Sequence, residues 1–135
     1  MNTVETVYLG ELRTQATHVA SQNSIFTDAP VDNQGKGEAF SPTDLVAAAL
    51  GSCMMTIMGI EARTLQIDLS ETKISITKIM AANPRRIAEI KIQFDFPKHL
   101  DLSESQQKHL INAARNCPVS KSLHPDLKEN LVFNF

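Results

Sequence analysis

The two cysteines have the clearest capacity for chemistry in this chain. Cys53 lies inside a long apolar segment, and Cys117 directly precedes Pro118, which can open a helix. A thiol beside a helix N-terminus meets the positive end of the helix dipole, so we expect Cys117 to have a lowered pKa and to be reactive. Cys53 would need a cationic neighbour, such as an arginine, to become a thiolate. Two small buried apolar residues and a structural disulfide are the other interpretations, and the spacing alone leaves them open.

Other kinds of chemistry find little support in the sequence. Four histidines are scattered without the spacing of paired metal ligands: His18, His99, His109 and His124. No CxxC or HxxxH pattern occurs, so we expect no metal site. A GxSxG motif is also missing, and Gly35-Lys36-Gly37 is followed by Glu38 and not by a helix start, which argues against a phosphate loop.

Length and charge narrow the class of protein. The chain has 135 residues, which is the size of one ordinary domain, and we interpret 1–135 as a single domain. A net charge of -2, no basic stripe and 5% aromatic residues make a nucleic-acid partner unexpected. The N-terminus lacks the basic start and apolar core of a secretion signal. We therefore expect a cytoplasmic protein whose thiols stay reduced.

The first half of the sequence predicts strands, a loop and a long helix. Alternating apolar and polar residues predict two or three antiparallel strands over 4–27, and the Pro- and Gly-containing stretch 28–40 predicts a loop with a functional role. Ser41-Pro42-Thr43-Asp44 is typical of a helix start, and the helix should run to about Leu65. Its apolar part, 45–60, is too short for a membrane span, so we expect a buried helix and no membrane partner.

The second half predicts a hairpin, two helices and a last strand. The hairpin turns at 82–85, a helix should run from Ser103 to about Asn116, and a short helix should start at Pro118. The last strand is marked by three apolar residues: Leu127, Leu131 and Phe133. Strands, a long helix, a hairpin, two helices and a strand make an α+β arrangement.

The long helix also predicts an assembly. Its apolar residues surround the whole helix axis: Leu45, Val46, Leu50, Met54, Met55, Ile57, Met58 and Ile60. A helix that is apolar on every side needs cover on every side, and a single sheet covers only one. A second copy of the chain is the simplest cover, so we expect a homodimer.

Three stretches of sequence resemble a known family. Ser41 to Cys53 resembles the helix motif of the OsmC/Ohr proteins, and Asn116-Cys117-Pro118-Val119-Ser120-Lys121-Ser122-Leu123 resembles the second cysteine motif of that family. The segment Phe26-Thr27-Asp28-Ala29-Pro30 and the loop after it are similar to a branch described as predicted redox proteins. The resemblance covers essentially the whole chain.

The resemblance implies a fold and an enzymatic activity. The fold would be OsmC-like, with antiparallel sheets wrapped around the long central helices of an intertwined homodimer and with active sites at the interface. The activity would be the thiol-dependent reduction of organic hydroperoxides in oxidative-stress defence. Cys53 would be the peroxidatic cysteine and Cys117 the resolving cysteine, joined in a disulfide after turnover. No cofactor would be bound, and an external dithiol of lipoyl type would be the reductant.

The resemblance also implies an arginine that holds the thiolate and an acidic residue that orients this arginine. Arg13 matches the arginine. Thr43 stands where the well-studied peroxidases have Glu, and Asp44 follows it about 100° further round the helix. Asp44 lies nine residues before Cys53, about 14 Å away on a continuous helix, so it could orient an arginine only beside the partner's cysteine. Asp44 could therefore either orient Arg13 or cap the helix. Because Thr43 replaces the Glu, a redox-sensing or binding protein that turns over poorly is the alternative function.

Overall fold

A computed structural model describes all 135 residues of the chain. The chain divides into two compact units, Met1–Val46 and Ala47–Phe135. The first unit contains a three-stranded antiparallel sheet in the order β1-β2-β3, formed by β1 (Val4–Gly10), β2 (Arg13–His18) and β3 (Ser24–Asp28). The prediction of two or three antiparallel strands over 4–27 is therefore confirmed, with three strands observed.

The predicted loop is shifted by one residue, to 29–41 between β3 and the long helix, and contains a short helical turn. Asp28 belongs to β3, where it is in register with Arg13, the first residue of β2. A short 3-10 helix, Val31–Asn33, follows. Gly35 packs so closely against Ala29 that a Cβ atom at this position would lie 1.7 Å from the Ala29 carbonyl oxygen. Only glycine fits this close approach of two backbone segments, which folds the loop back onto the end of β3.

The sheet of the first unit leaves large apolar side chains in solvent. Val7, Tyr8 and Phe26 are 61%, 62% and 49% exposed. Val7 and Phe26 point to the same face because both are in register with Gln15, and exposed apolar residues that share a face are typical of a surface that another chain covers.

The long helix α1 spans Pro42–Thr64, beginning in the first unit and continuing into the second. The predicted helix start is confirmed. The Ser41 hydroxyl accepts a hydrogen bond from the Asp44 N–H at 3.1 Å, and Asp44 Oδ2 accepts one from the Ser41 N–H at 3.0 Å. This reciprocal pair satisfies two amides of the first turn that have no partner within the helix.

One stripe of α1 is buried and the rest of its apolar surface is not. The buried residues recur at helical spacing: Ala47, Leu50, Gly51, Met54, Met58 and Ala62. Cys53, Met55 and Ile57 are half-buried, and Ile60 is 57% exposed. At 23 residues, α1 is also long and apolar enough to cross a membrane, with 33% of its apolar stretch buried. The length argument made from 45–60 alone therefore does not hold for the whole helix.

The second unit contains a second three-stranded sheet and two further helices. The strands are β4 (Lys73–Ala81), β5 (Arg86–Asp95) and β6 (Lys128–Asn134), and the helices are α2 (Glu104–Arg115) and α3 (Pro118–Ser122). The predicted hairpin is confirmed as β4 and β5. The expected antiparallel pairing holds for β4 with β5, whereas β6 runs parallel to β5. The helices between these two strands form the long crossover connection that a parallel pair requires.

The core of the second unit lies on one face of its sheet. Ile90, Ile92 and Phe94 alternate along β5 and are at most 1% exposed. They are in register with three residues of β6, namely Glu129, Leu131 and Phe133. The rings of Phe94 and Phe133 stack with centroids 5.0 Å apart. Since residues in register point to the same face of a sheet, this face is apolar except at Glu129 and at Lys78 of β4, which is also in register with Ile90.

Candidate functional site

Cys117 is fixed between two helices of the second unit. Its backbone N–H donates to the Ala114 carbonyl at the end of α2, and its carbonyl accepts from the Lys121 N–H in α3. The Cys117 thiol is the N-cap of α3, where Sγ accepts a hydrogen bond from the Ser120 N–H at 3.3 Å. The side chain is 0% exposed, so the thiol is held in a dry and well-defined position.

The second cysteine lies next to this thiol. Cys53 is half-buried on α1, packs against the apolar core that includes Cys117, and is a free thiol like Cys117. Both the hydrogen bonding and the charge of Cys53 act on the Cys117 thiol. The structure therefore brings together two residues that are 64 positions apart in the sequence.

The Cys117 thiol is less acidic than the sequence suggested. Burial raises its pKa, as do the neighbouring Cys53 thiol and the Glu129 carboxylate, while the Ser120 N–H acts in the opposite direction. The prediction of a lowered pKa is wrong, because α3 has only five residues and the single amide that meets Sγ does not offset complete burial. Cys117 is thus held as a neutral thiol beside Cys53.

Glu129 is a site residue that was not predicted. Both of its carboxylate oxygens accept the Ser120 hydroxyl, at 2.9 Å for Oε1 and 2.7 Å for Oε2. The sequence did contain a signal, since alternation with Leu127, Leu131 and Phe133 places Glu129 on the apolar face of the last strand. A carboxylate at such a position needs a polar partner.

Arg13 lies in a cluster of charged side chains within the first unit. Asp28 receives two hydrogen bonds from it, from Nε to Oδ1 at 2.7 Å and from Nη2 to Oδ2 at 2.8 Å. Nη2 also donates to Glu38 Oε2 at 2.9 Å, and the Glu38 N–H donates to Asp28 Oδ2 at 3.0 Å. Both Nη1 hydrogens of Arg13 remain available for a further acceptor.

The charges of this cluster stabilise one another. Hydrogen bonds from Arg13 hold the pKa of Asp28 below its usual range, although Asp28 is only 1% exposed. Hydrogen bonds to Asp28 and Glu38 raise the pKa of Arg13 further above its already high value. A buried carboxylate with a bidentate arginine fixes the guanidinium plane.

Asp44, the predicted orienting residue, lies in the first turn of α1. Its carboxylate accepts the Ser41 N–H and so caps α1, as described above. The two carboxylates that hold Arg13 were not predicted from the sequence. The register of Arg13 with Asp28 would have identified one of them once the strand bounds were known, whereas Glu38 lies in a loop without such a signal. The orienting role of Asp44 toward Arg13 stays a prediction.

The chain has no group of three or more His, Cys, Asp or Glu side chains that could hold a metal ion. The second unit presents two thiols, a hydroxyl and a carboxylate, and the first unit presents a guanidinium with two carboxylates.

Comparisons with known proteins agree on one family. The family model described as OsmC-like protein matches residues 35–131. No protein in the curated set matches the chain. A candidate osmotic-stress-induced and detoxification-response protein from Psychrobacter arcticus is 51% identical, with a TM-score of 0.94 over 99% of this chain and 96% of that one.

Two more distant structures share the fold. An organic hydroperoxide resistance protein OsmC from Legionella pneumophila is 16% identical, with a TM-score of 0.77 over 100% of this chain and 98% of that one. An organic hydroperoxide resistance protein from Elizabethkingia anophelis is 14% identical, with a TM-score of 0.75 over 99% and 96% of the two chains. The predicted α+β fold of OsmC type is confirmed, and the chain belongs to the OsmC-like family.

Proposed function

We propose that this protein is a thiol-dependent reductase of organic hydroperoxides that acts through Cys53 and Cys117. The observation that carries the proposal is the contact between a half-buried thiol and a fully buried thiol in the same unit. The relatives add support: the Psychrobacter protein is described in terms of detoxification, and the Legionella and Elizabethkingia proteins are named for organic hydroperoxide resistance.

In the first step, the Cys53 thiolate attacks the terminal oxygen of the hydroperoxide. An S–O bond forms, the O–O bond breaks, and the leaving alkoxide takes a proton to become the alcohol. Cys53 is thereby oxidised to a sulfenic acid. Cys53 is suited to this step because, unlike Cys117, it is not fully buried.

In the second step, the Cys117 thiol condenses with the Cys53 sulfenic acid. An S–S bond forms, the S–O bond breaks, and the thiol proton leaves with the hydroxyl group as water. An external dithiol of lipoyl type then reduces the disulfide by exchange and is itself oxidised. This cycle needs a reducing compartment, and we place it in the cytoplasm.

Arg13 is proposed to stabilise the Cys53 thiolate and the charge that develops on the peroxide oxygens. Asp28 and Glu38 occupy Nε and Nη2, which leaves Nη1 to face a thiolate. These two carboxylates can supply the orientation that a single Glu supplies in the well-studied peroxidases. Asp44 then needs only to cap α1, or to support the arginine of a partner chain.

We propose a homodimer on the basis of the exposed apolar surface. Val7, Tyr8 and Phe26 on the first sheet and Ile60 on α1 are all close to half exposed or more. A monomer rarely leaves such surfaces in water, and a second copy of the chain would cover them. Sedimentation at micromolar concentration should give about twice 14.9 kDa. A compact species of 14.9 kDa would contradict the dimer and any site built across it.

The walls around Cys53 favour an alkyl or lipid hydroperoxide over hydrogen peroxide. Half-buried Ile57 lies one turn further along α1, on the same side of the helix as Cys53. Apolar and polarizable side chains beside a thiol suit an apolar substrate.

Steady-state consumption of cumene hydroperoxide with a lipoyl dithiol tests the proposal. The wild-type protein should turn over many times, and Cys53→Ser should lose this activity. Ser52→Ala is a matched control, because Ser52 is exposed and adjacent to Cys53. If the wild type consumes only one equivalent of peroxide, it is a redox-sensing or binding protein of the same fold, the alternative that Thr43 kept open.

A further inference from the structure

A carboxylate and an ammonium group lie on the mostly apolar face of the second sheet, at Glu129 and Lys78. Glu129 is half-buried near the start of β6, where it is in register with Ile90, which is 0% exposed. Leu131 and Phe133 follow it on the same face. Lys78, which is in register with Ile90 from β4, is the other charged residue on this face, and the Ser120 hydroxyl donates to the Glu129 carboxylate.

The contacts of Glu129 lead to the cysteine pair. Its two oxygens accept the Ser120 hydroxyl at 2.9 and 2.7 Å, and the N–H of the same serine donates to Cys117 Sγ at 3.3 Å. Ser120 therefore fixes the thiol with its backbone and the carboxylate with its side chain. Besides burial, the Cys53 thiol and the Glu129 carboxylate both raise the pKa of Cys117.

This arrangement makes the two thiols unequal. A nearby carboxylate disfavours a second negative charge, so it opposes the thiolate form of Cys117 in addition to the burial of this thiol. Only a thiolate attacks a peroxide efficiently. A Cys117 held as a thiol is spared by the peroxide, and it loses its proton, which leaves with the sulfenic hydroxyl as water, only when it condenses with the Cys53 sulfenic acid.

We propose that Ser120 and Glu129 are positioning residues that assign the resolving role to Cys117 and thereby reserve the peroxide for Cys53. This inference rests on the proposed function, because it concerns the division of roles within that reaction. Neither residue touches the substrate, and both act through the Cys117 thiol.

Titration of Cys117 in a Cys53→Ser background tests the proposal, with ultraviolet thiolate absorbance as the readout. Cys117 is then the only thiol, so the effect of Cys53 is removed and that of the Glu129 carboxylate remains. Glu129→Gln should lower the titration midpoint by about half a pH unit or more, because it removes the opposing charge. Glu129→Asp, which keeps the charge, should recover most of the parent midpoint.

Glu89→Gln provides the matched control. Glu89 is in register with Lys128 and forms an ion pair with it at 3.3 Å. Since Lys128 precedes Glu129, this pair lies on the opposite face of the sheet. The control removes one negative charge from the same sheet and should leave the midpoint unchanged. A midpoint that is unchanged in Glu129→Gln, or that moves equally in Glu89→Gln, would overturn the proposal.

Glu129→Leu is a second variant that should keep the fold, because leucine is apolar like Leu131 and Phe133 on the same face of β6. In the presence of both cysteines, this variant and Glu129→Gln should increase the fraction of Cys117 that is the first thiol modified by a substoichiometric hydroperoxide. An unchanged fraction in both variants contradicts the proposal. Neither the thiolate titration nor the modified fraction requires turnover. A wild-type protein that does not turn over would refute the proposed function, and the two readouts would still decide the role of Glu129.

Discussion

Joining Cys53 to Cys117 should stabilise the protein against unfolding. The two thiols are neighbours in the folded chain but are 64 residues apart in the sequence. A cross-link between them would reduce the conformational entropy of the unfolded chain, whereas the folded chain would need little rearrangement to form it. Closing a loop of this length corresponds to a gain of about 4 kcal/mol, from which strain in the bonded geometry subtracts. We therefore expect the free energy of unfolding to rise by about 2–4 kcal/mol.

Urea unfolding measures this gain directly. The protein is oxidised with one equivalent of cumene hydroperoxide, and its unfolding is compared with that of the dithiol-reduced protein at the same chain concentration, since a dimer would make stability concentration-dependent. Cys117→Ser, treated in the same way, cannot form the cross-link and should show no gain. A disulfide-bonded form that unfolds at lower urea than the reduced protein would refute the neighbouring geometry of the two thiols.

Three further predictions follow from the ionisable groups. In a Cys117→Ser background, Arg13→Ala should slow alkylation of Cys53 by about tenfold or more at neutral pH. Arg13→Lys should recover only part of the rate, because the point charge of an ammonium group cannot replace the planar guanidinium. Identical rates in all three proteins would place Arg13 outside the site. Asp28 has a lowered pKa, so it stabilises the fold above the unfolded-state value near 4, and this contribution is lost as the pH falls toward the folded-state value. The stability difference between wild type and Asp28→Asn should accordingly shrink on acidification, and a difference that is constant from pH 7 to about pH 2 would contradict the ion pair. Cys117 has a raised pKa, so wild-type stability should decline as the pH rises through the unfolded-state value of about 8.5, and urea unfolding of Cys117→Ser should lack this alkaline decline.

Local signals explain why much of the fold could be predicted. The start of α1 follows from Ser41 and Asp44, whose side chains cap the first turn within four residues of sequence. The start of α2 follows likewise from Ser103, which forms a capping box with Gln106. Alternation of apolar residues predicted the hairpin and the last strand, because a strand half-buried in a sheet must place every second residue inward.

Features that depend on tertiary contacts could not be predicted in the same way. The parallel pairing of β6 with β5 depends on how α2 and α3 return the chain, which no local pattern records. Arg13 is held by Asp28 and Glu38, 15 and 25 residues further along the chain, because a strand register and a folded loop bring them together. The raised pKa of Cys117 depends on complete burial, which a position before a proline does not reveal.

The reaction product of the two cysteines tests the central claim most directly. The pure, reduced protein is treated with one equivalent of an organic hydroperoxide, and the state of each cysteine is mapped by mass spectrometry of the digested chain. The account predicts that both free thiols disappear and that one disulfide joins Cys53 to Cys117 within a single chain. Cys53 oxidised to sulfinic acid, with Cys117 still a free thiol, would contradict it.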